Sequence, residues 1–269
     1  MAPRLVDVAR NAGMTTPDPI VEQERAHENA WYTRALRERF FEREGFRQLV
    51  AWNVAAFRRL VPLRSDMRVL SIGAGLGDYE LALAPAVGHI VAVELSETAA
   101  DAARERLHAA GINNVDVVAA AIDAQTFAPG QFDVIYAMGV FHHFLPEQRR
   151  LLLARTHEWL VDGGQLYVRD PNARGLLRRA MESWFRRRST VHAEQEASMD
   201  PRVLEAEARA TGFREVAVDY IDVIGGPLPW LLRSESPWFW KAVFGFDRAW
   251  LAIPGLRRAA SQFALVARR

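Results

Sequence analysis

The feature that most constrains this chain is a glycine-spaced loop, Ile72-Gly73-Ala74-Gly75-Leu76-Gly77, which follows the apolar run MRVLSI at 67–72 and opens a helical stretch. Glycines there remove Cβ atoms, so a ligand can approach the backbone and the helix N-terminus can face it. The next apolar run, HIVAVE at 89–94, ends in Glu94, 17 residues after Gly77. A carboxylate in that place can accept hydrogen bonds from ribose hydroxyls. The same residues also suit a tight structural turn followed by a solvent-facing glutamate. The spacing is G-x-G-x-G, not the G-x-G-x-x-G of dinucleotide sites, and its tight second turn suits a ligand with no pyrophosphate to cradle.

Strand and helix signals alternate around this loop. Asp78 to Ala86 reads as a short helix and Ser96 to Ala110 as a longer one. The Ser96 hydroxyl can accept a first-turn N–H, and Gly111 stands where a left-handed residue closes a helix. VDVVAAAI at 115–122, FDVIYAM at 132–138 and GQLYVRD at 164–170 supply three more strands, with a helix at 146–160 between the last two. Strands separated by helices of this length imply right-handed crossovers and a parallel sheet covered on both faces. After Asp170 come an Arg-rich helical stretch within 171–200, a helix at 201–211 closed by Gly212, a strand at 213–224 and a closing strand at 263–269.

Residues 1–19 lack periodicity and read as an arm, whereas Trp31, Leu36, Phe40 and Phe41 recur at helical spacing. Gly45 is expected to break this region into two helices, and Pro62 to end it. The expected organisation is an arm and helical cap over 1–61 and an α/β domain over 62–269, with insertions at about 171–200 and 225–262.

Half of the 269 residues are hydrophobic, ample for one such core. The net charge of +1 provides no global field to recruit nucleic acid. The absence of cysteine excludes disulfides, thiolate metal sites and a cysteine nucleophile. The N-terminal residues have no apolar signal core, and no stretch approaches the roughly 20 apolar residues of a membrane span, so a soluble, cytoplasmic protein is expected.

VLSIGAGLG, VAVELS, AAIDA, FDVIYAMGVFHHF and LVDGGQLYV resemble, in order, the successive motifs of class I S-adenosylmethionine-dependent methyltransferases, especially small-molecule enzymes of the ubiquinone-biosynthesis-like group. The likeness covers about residues 65–170 and, more loosely, the last two strands. It implies a Rossmann-like, mostly parallel seven-stranded sheet with helices on both faces and the last strand antiparallel. It further implies S-adenosylmethionine as methyl donor and S-adenosylhomocysteine as product. By position, Gly73, Ala74, Gly75 and Gly77 would wrap the methionine portion. Glu94 would hold the ribose, with Leu95 against the adenine; Asp123 would accept from the adenine amine, with Ala124 beside the ring; Met138 and Gly139 would lie beside the sulfonium. One departure stands out. Ser71 occupies a position where the family usually has an acid, so the anchor for the methionyl amine is weakened or supplied elsewhere.

Methyl transfer from a sulfonium is an in-line displacement, accelerated largely by alignment, and needs a base only if the acceptor arrives protonated. His142 and His143 follow the fourth strand at the sheet's carboxyl edge, where either could accept that proton, His143 being favoured; they could equally shape the pocket. Asp170 and Asn172 bracket Pro171 at the next strand end and could orient an acceptor, or simply form a turn. His192 and Trp230 are further candidates for acceptor contact, and Tyr32 for a lid over the cofactor, although Trp31 and Tyr32 also read as a core stripe.

Arginines at 174, 178, 179 and 186–188 interleave with Leu176, Leu177, Met181, Trp184 and Phe185. Residues 225–256 hold four of the eight tryptophans in what reads as a bent hairpin of short helices. Both segments suit an apolar acceptor or a peripheral membrane contact as well as ordinary packing. The leading expectation is methylation of a small hydrophobic molecule on oxygen. Cyclisation or another non-methyl step on the same fold, and a non-catalytic binding protein, stay open.

Overall fold

In the computed structural model, residues 19–176, 179 and 199–269 are described. His192 and most of the Arg-rich stretch, including Arg178 and Arg186–Arg188, lie outside them. Seven strands, β1 Arg68–Ile72, β2 His89–Glu94, β3 Val115–Ala119, β4 Phe132–Met138, β5 Leu160–Pro171, β6 Arg214–Asp222 and β7 Gln262–Arg268, form one sheet in the order β3-β2-β1-β4-β5-β7-β6. β2 runs parallel to β1 and β3, while β7 is antiparallel to both β5 and β6. The expected mixed sheet with an antiparallel last strand is present. β3 stops at Ala119, short of the expected end at residue 122, and Ile122–Ala124 form a short 3-10 turn.

The chain divides into two compact units. The first runs to Phe40 and includes Leu63–Tyr136 and Glu158–Gly164. It carries α1 Pro19–Arg37, and after α2 (Glu44–Leu60, in the second unit) come α3 Asp78–Leu83 and α4 Glu97–Ala109. Val69, Leu70, Ile72 and Ile90–Val93 are buried, as near-continuous apolar parallel strands require. The Ser96 hydroxyl accepts the Ala99 N–H at 3.2 Å and caps α4. That helix buries Ala99, Ala100, Ala103 and Leu107, small side chains that permit close approach. Phe127 packs edge-on to Phe132 and Trp159, with ring centres 5.1 and 5.0 Å away.

The second unit comprises Phe41–Pro62, Ala137–His157 and Gln165–Arg269. α2 buries Phe46, Leu49, Val54 and Phe57 along one face. The helix break expected at Gly45 lies earlier, where Arg39 adopts φ +50° and Phe40–Glu42 form a 3-10 turn. Gly45 sits inside α2 for a different reason: a Cβ there would lie 2.5 Å from Trp240 Cζ2. The glycine admits an indole, which is fully buried and donates its Nε1–H to the Ser234 carbonyl at 2.7 Å. The two N-terminal helices thus part company, α1 clustering with the first unit and α2 with the second.

Downstream, α5 Pro146–Trp159 carries His157, which packs edge-on to Phe213 as a packing residue should. α6 Pro201–Thr211 begins at an Asp200 cap and ends at Gly212, φ +109°. The aromatic insertion contains α7 Leu228–Leu231 and α8 Pro237–Leu251, the latter capped by Ser236.

Candidate functional site

In the first unit, β1 delivers the chain into a loop whose Gly73, Gly75 and Gly77 have φ of +75°, +54° and +76°, values open to glycine and strained for any other residue. Gly77 starts α3 in this left-handed conformation. The loop is held from two sides. Gly73 N–H donates to the Val93 carbonyl at 2.8 Å. Arg106, on α4, donates to the Leu76 carbonyl and pairs with Asp78 at 2.5 Å. Glu94, buried at the end of β2, accepts the Gly75 N–H at 2.7 Å and the Ser96 N–H at 2.9 Å. Burial raises its carboxyl above the usual range, and those N–H donors pull it back. The carboxylate and glycine loop singled out in the sequence are therefore in direct contact.

α1 closes against this loop through a polar hinge that the sequence did not announce. Asn29 Oδ1 accepts from the Ser96 hydroxyl at 2.7 Å and from the Thr98 N–H at 3.2 Å, and Arg25 pairs with Glu97 at 3.6 Å. One turn on, the Tyr32 hydroxyl stands 3.1 Å from where a Gly75 Cβ would be. Burial first, and the carboxylates of Glu94, Glu28, Asp78 and Glu80 after it, push the Tyr32 phenol well above its ordinary range, so it stays a neutral donor. Asp123 and Ala124 lie exposed in the 3-10 turn after β3, and Asp123 helps raise Glu24 of α1, whose partial burial contributes more. Leu95 is half-buried beside Glu94.

Behind the loop is an acid missed in the sequence. Glu80, fully buried on α3, accepts from the Ser71 hydroxyl at 2.5 Å and from the Tyr136 hydroxyl at 2.7 Å, both through Oε1. Its Oε2 is buried with no hydrogen-bond partner among the described residues. Burial raises its carboxyl, opposed by the two O–H donors. An acid on α3, three residues after Gly77, thus stands against Ser71, where β1 itself carries none. The legible signal was a serine, a tyrosine in an apolar strand and this glutamate, which are polar in places where apolar side chains would do.

In the second unit, Met138 ends β4 and Gly139 follows it, its N–H donating to the Arg169 carbonyl at 2.7 Å. The chain then forms a 3-10 turn, Phe141–His143, that anchors fully buried Phe141 and carries both histidines. His142 Nδ1 lies 2.8 Å from Asp170 Oδ1. Asp170 is fully buried, and its Oδ2 has no partner among the described residues. The two imidazoles are 4.1 Å apart and tilted by 38°. The carboxylate thus orients His142 and not the favoured His143. Asn172 is buried and committed elsewhere: its amide donates to the carbonyls of Ala260 and Arg258, and its Oδ1 accepts the Arg174 N–H. It is a clamp on the framework. Trp230, about half exposed, packs edge-on to Phe46 and Phe41.

A three-glycine loop without a Cβ wall, a carboxylate gripping its centre and an unspent buried acid behind it fit a small nucleoside ligand bearing a cation. Among the described residues no cluster of His, Asp or Glu could hold a metal ion.

Residues 69–164 match the family model of the methyltransferase domain. Over 82 residues the chain is 39% identical to a protein-L-isoaspartate O-methyltransferase of Bradyrhizobium sp. (strain ORS 278), a stretch that is 30% of this chain and 38% of that protein. The chain therefore matches well under half the length of that relative. Among solved structures, phosphoethanolamine N-methyltransferase 2 of Haemonchus contortus, in complex with S-adenosyl-L-methionine, aligns with TM-score 0.58 at 19% identity, over 81% of this chain and 52% of that one. The cyclase SpnF aligns with TM-score 0.57 at 16% identity, over 80% of each chain. At these identities the likeness to both structures is one of fold.

Proposed function

We propose, taking the methyltransferase domain at 69–164 as premise, that this protein transfers the methyl group of S-adenosylmethionine to an oxygen of a small apolar molecule. The observation that carries the reading is the left-handed glycine loop whose centre, Gly75, is held by Glu94. In this reading Gly73, Ala74, Gly75 and Gly77 hold the methionine portion, and Glu94 and Leu95 the ribose and adenine. Asp123 and Ala124 flank the ring, Tyr32 closes over it, and Met138 and Gly139 follow at the end of β4. Glu80 supplies negative charge behind the loop, the role that Ser71 cannot fill. The bound sulfonium supplies an electrophilic methyl group.

The chain's own contribution is alignment and one proton. With Nδ1–H donated to Asp170, His142 presents Nε2 as the acceptor for a hydroxyl proton. Buried Asp170 fixes that tautomer and stabilises the imidazolium that results. His143, its ring centre 4.1 Å from that of His142, limits its rotation. The exposed aromatic side chains of the insertion, Trp230 among them, support an apolar acceptor.

Mass spectrometry of the purified protein incubated with S-adenosylmethionine and a panel of apolar hydroxylated acceptors tests this. S-adenosylhomocysteine formed together with a methylated product is the expected outcome. A rearranged acceptor without S-adenosylhomocysteine would instead establish the non-methyl reading, which the fold shared with SpnF keeps in view.

A further inference from the structure

We propose that the exposed face of α8 and an arginine-lined cavity just beyond it form a docking surface for an anionic lipid bilayer, a property independent of the methyl-transfer reading. α8 buries Trp240, Val243, Phe244 and Asp247 on one side. On the exposed side Trp238, Ala242, Phe246, Ala249 and, past the helix end, Ile253 follow at steps of three to four residues, a second apolar stripe. Trp238 is 78% exposed, Phe246 44% and Ile253 50%. An apolar stripe of this length on a water-facing helix marks a contact surface.

The charges around the stripe say what covers it. The Lys241 ammonium lies 4.9 Å from the Trp238 ring centre, and Arg233 and Arg248 are exposed nearby in the chain. The segment's carboxylates face backbone instead: Glu235 accepts the Glu44 N–H, and Asp247 accepts those of Ile224 and Gly225. At the end of α8, Trp250 Nε1–H donates to the Leu256 carbonyl at 3.1 Å, fastening the helix to the segment that carries Arg257 and Arg258. These two, with Arg174, Arg202 and Tyr220, line a cavity of about 520 Å³ whose lining carries one acid, Glu205. Among the described residues no ion pair holds Arg202, Arg257 or Arg258.

Guanidinium groups match phosphate oxygens in geometry as well as charge. An aromatic stripe bordered by cations is the composition of a helix that lies in the membrane interface, its rings at the headgroup level. No helix among the described residues is long and apolar enough to cross a membrane, so the contact is peripheral. A second copy of the chain would bring like-charged arginines together, which argues against it as the occupant.

Co-sedimentation of the full-length protein with vesicles tests the proposal. Vesicles of phosphatidylcholine containing phosphatidylglycerol should bind at least about tenfold better than phosphatidylcholine alone, with the advantage lost at about 0.5 M salt. W238E/F246E and R257E/R258E should each lower binding by about tenfold. Both should keep wild-type circular dichroism and wild-type calorimetric affinity for S-adenosylmethionine, which separates this outcome from failure of the methyltransferase reading. Equal binding to both vesicle types, or unaltered binding by both variants, overturns the proposal. So does a dimer in light scattering that W238E/F246E dissolves while vesicles stay unbound, or a phosphate-raised melting temperature without vesicle binding.

Discussion

Glu94 in the first unit and Asp247 in the second hold glycine turns by the same device, yet only one turn is left open. Glu94 accepts N–H groups from Gly75 and Ser96, and Asp247 accepts them from Gly225 and Ile224 at 2.8 and 3.0 Å. A Cβ on Gly75 would meet only the Tyr32 side chain, whereas one on Gly225 would collide with the Phe244 ring and sit 2.7 Å from Asp247 Oδ2. The same hydrogen-bond chemistry therefore serves both the turn proposed to cradle a ligand, where only the Tyr32 side chain comes near, and a core joint that aromatic mass fills. Buried acids divide similarly. Glu94 and Asp247 have both oxygens committed to backbone N–H groups, while Glu80 and Asp170 each keep one oxygen without a partner among the described residues.

The sharpest way to break this contrast is to fill the open turn. Gly75→Arg should abolish calorimetric binding of S-adenosylmethionine, a loss of at least about 100-fold, because the side chain occupies the cradle and the backbone is strained. Undiminished affinity would show that the turn is no cradle. Removing the proposed base comes next: His142→Ala should lower kcat by about 10²- to 10⁴-fold with cofactor affinity intact, and His143→Ala by much less. Equal losses would remove the distinction drawn from Asp170.

The filled turn should respond in stability and not in binding. Gly225→Ala should cost about 3 kcal/mol in urea unfolding, with S-adenosylmethionine affinity unchanged. A smaller effect comes from Asp222 beside that turn, which burial drives up to about 6 despite the Arg169 guanidinium at 3.4 Å, with the nearby Asp247 charge adding to the rise. A carboxyl with a raised folded value binds protons more tightly folded than unfolded, so its contribution is fully present below about pH 4 and lost as pH climbs through 6. Relative to Asp222→Asn, the wild type should therefore lose on the order of 2 kcal/mol between pH 4 and 7. A constant difference between the two across that range would contradict the assignment. Smallest of all, Glu80→Gln keeps the acceptor for Ser71 and Tyr136 but removes charge behind the cradle, and should weaken S-adenosylmethionine by about tenfold. No change in affinity would confine Glu80 to packing.

What the sequence made legible was whatever short-range chemistry dictates. The glycine loop, Glu94, the Ser96 cap, strand β4 and the closing Gly212 all follow from rules acting within a few residues, and each stands where expected. What stayed hidden depends on who arrives from far along the chain. Gly45 looked like a helix breaker because nothing local reveals Trp240, 195 positions later. Glu80 carries no local signal of its burial, because Ser71 and Tyr136, which enclose it, lie on separate strands. The histidines could not be told apart because both stand in the same tight turn, and only the position of Asp170 decides between them. Asn172, equally suited on paper to an acceptor, is consumed by the Ala260 and Arg258 carbonyls from far along the chain, and by the Arg174 N–H two residues on.

The placement of β7 has a consequence for how the molecule is made. It follows β6 in the chain yet lies between β6 and β5, hydrogen-bonded to both. During synthesis β6 is therefore made before the strand that joins it to its neighbours, and its inner edge waits unpaired until residues 262–268 leave the ribosome and slot in. That side of the sheet closes only once β7 has been made, and the interval is one in which a chaperone, or another nascent chain, would find an open edge.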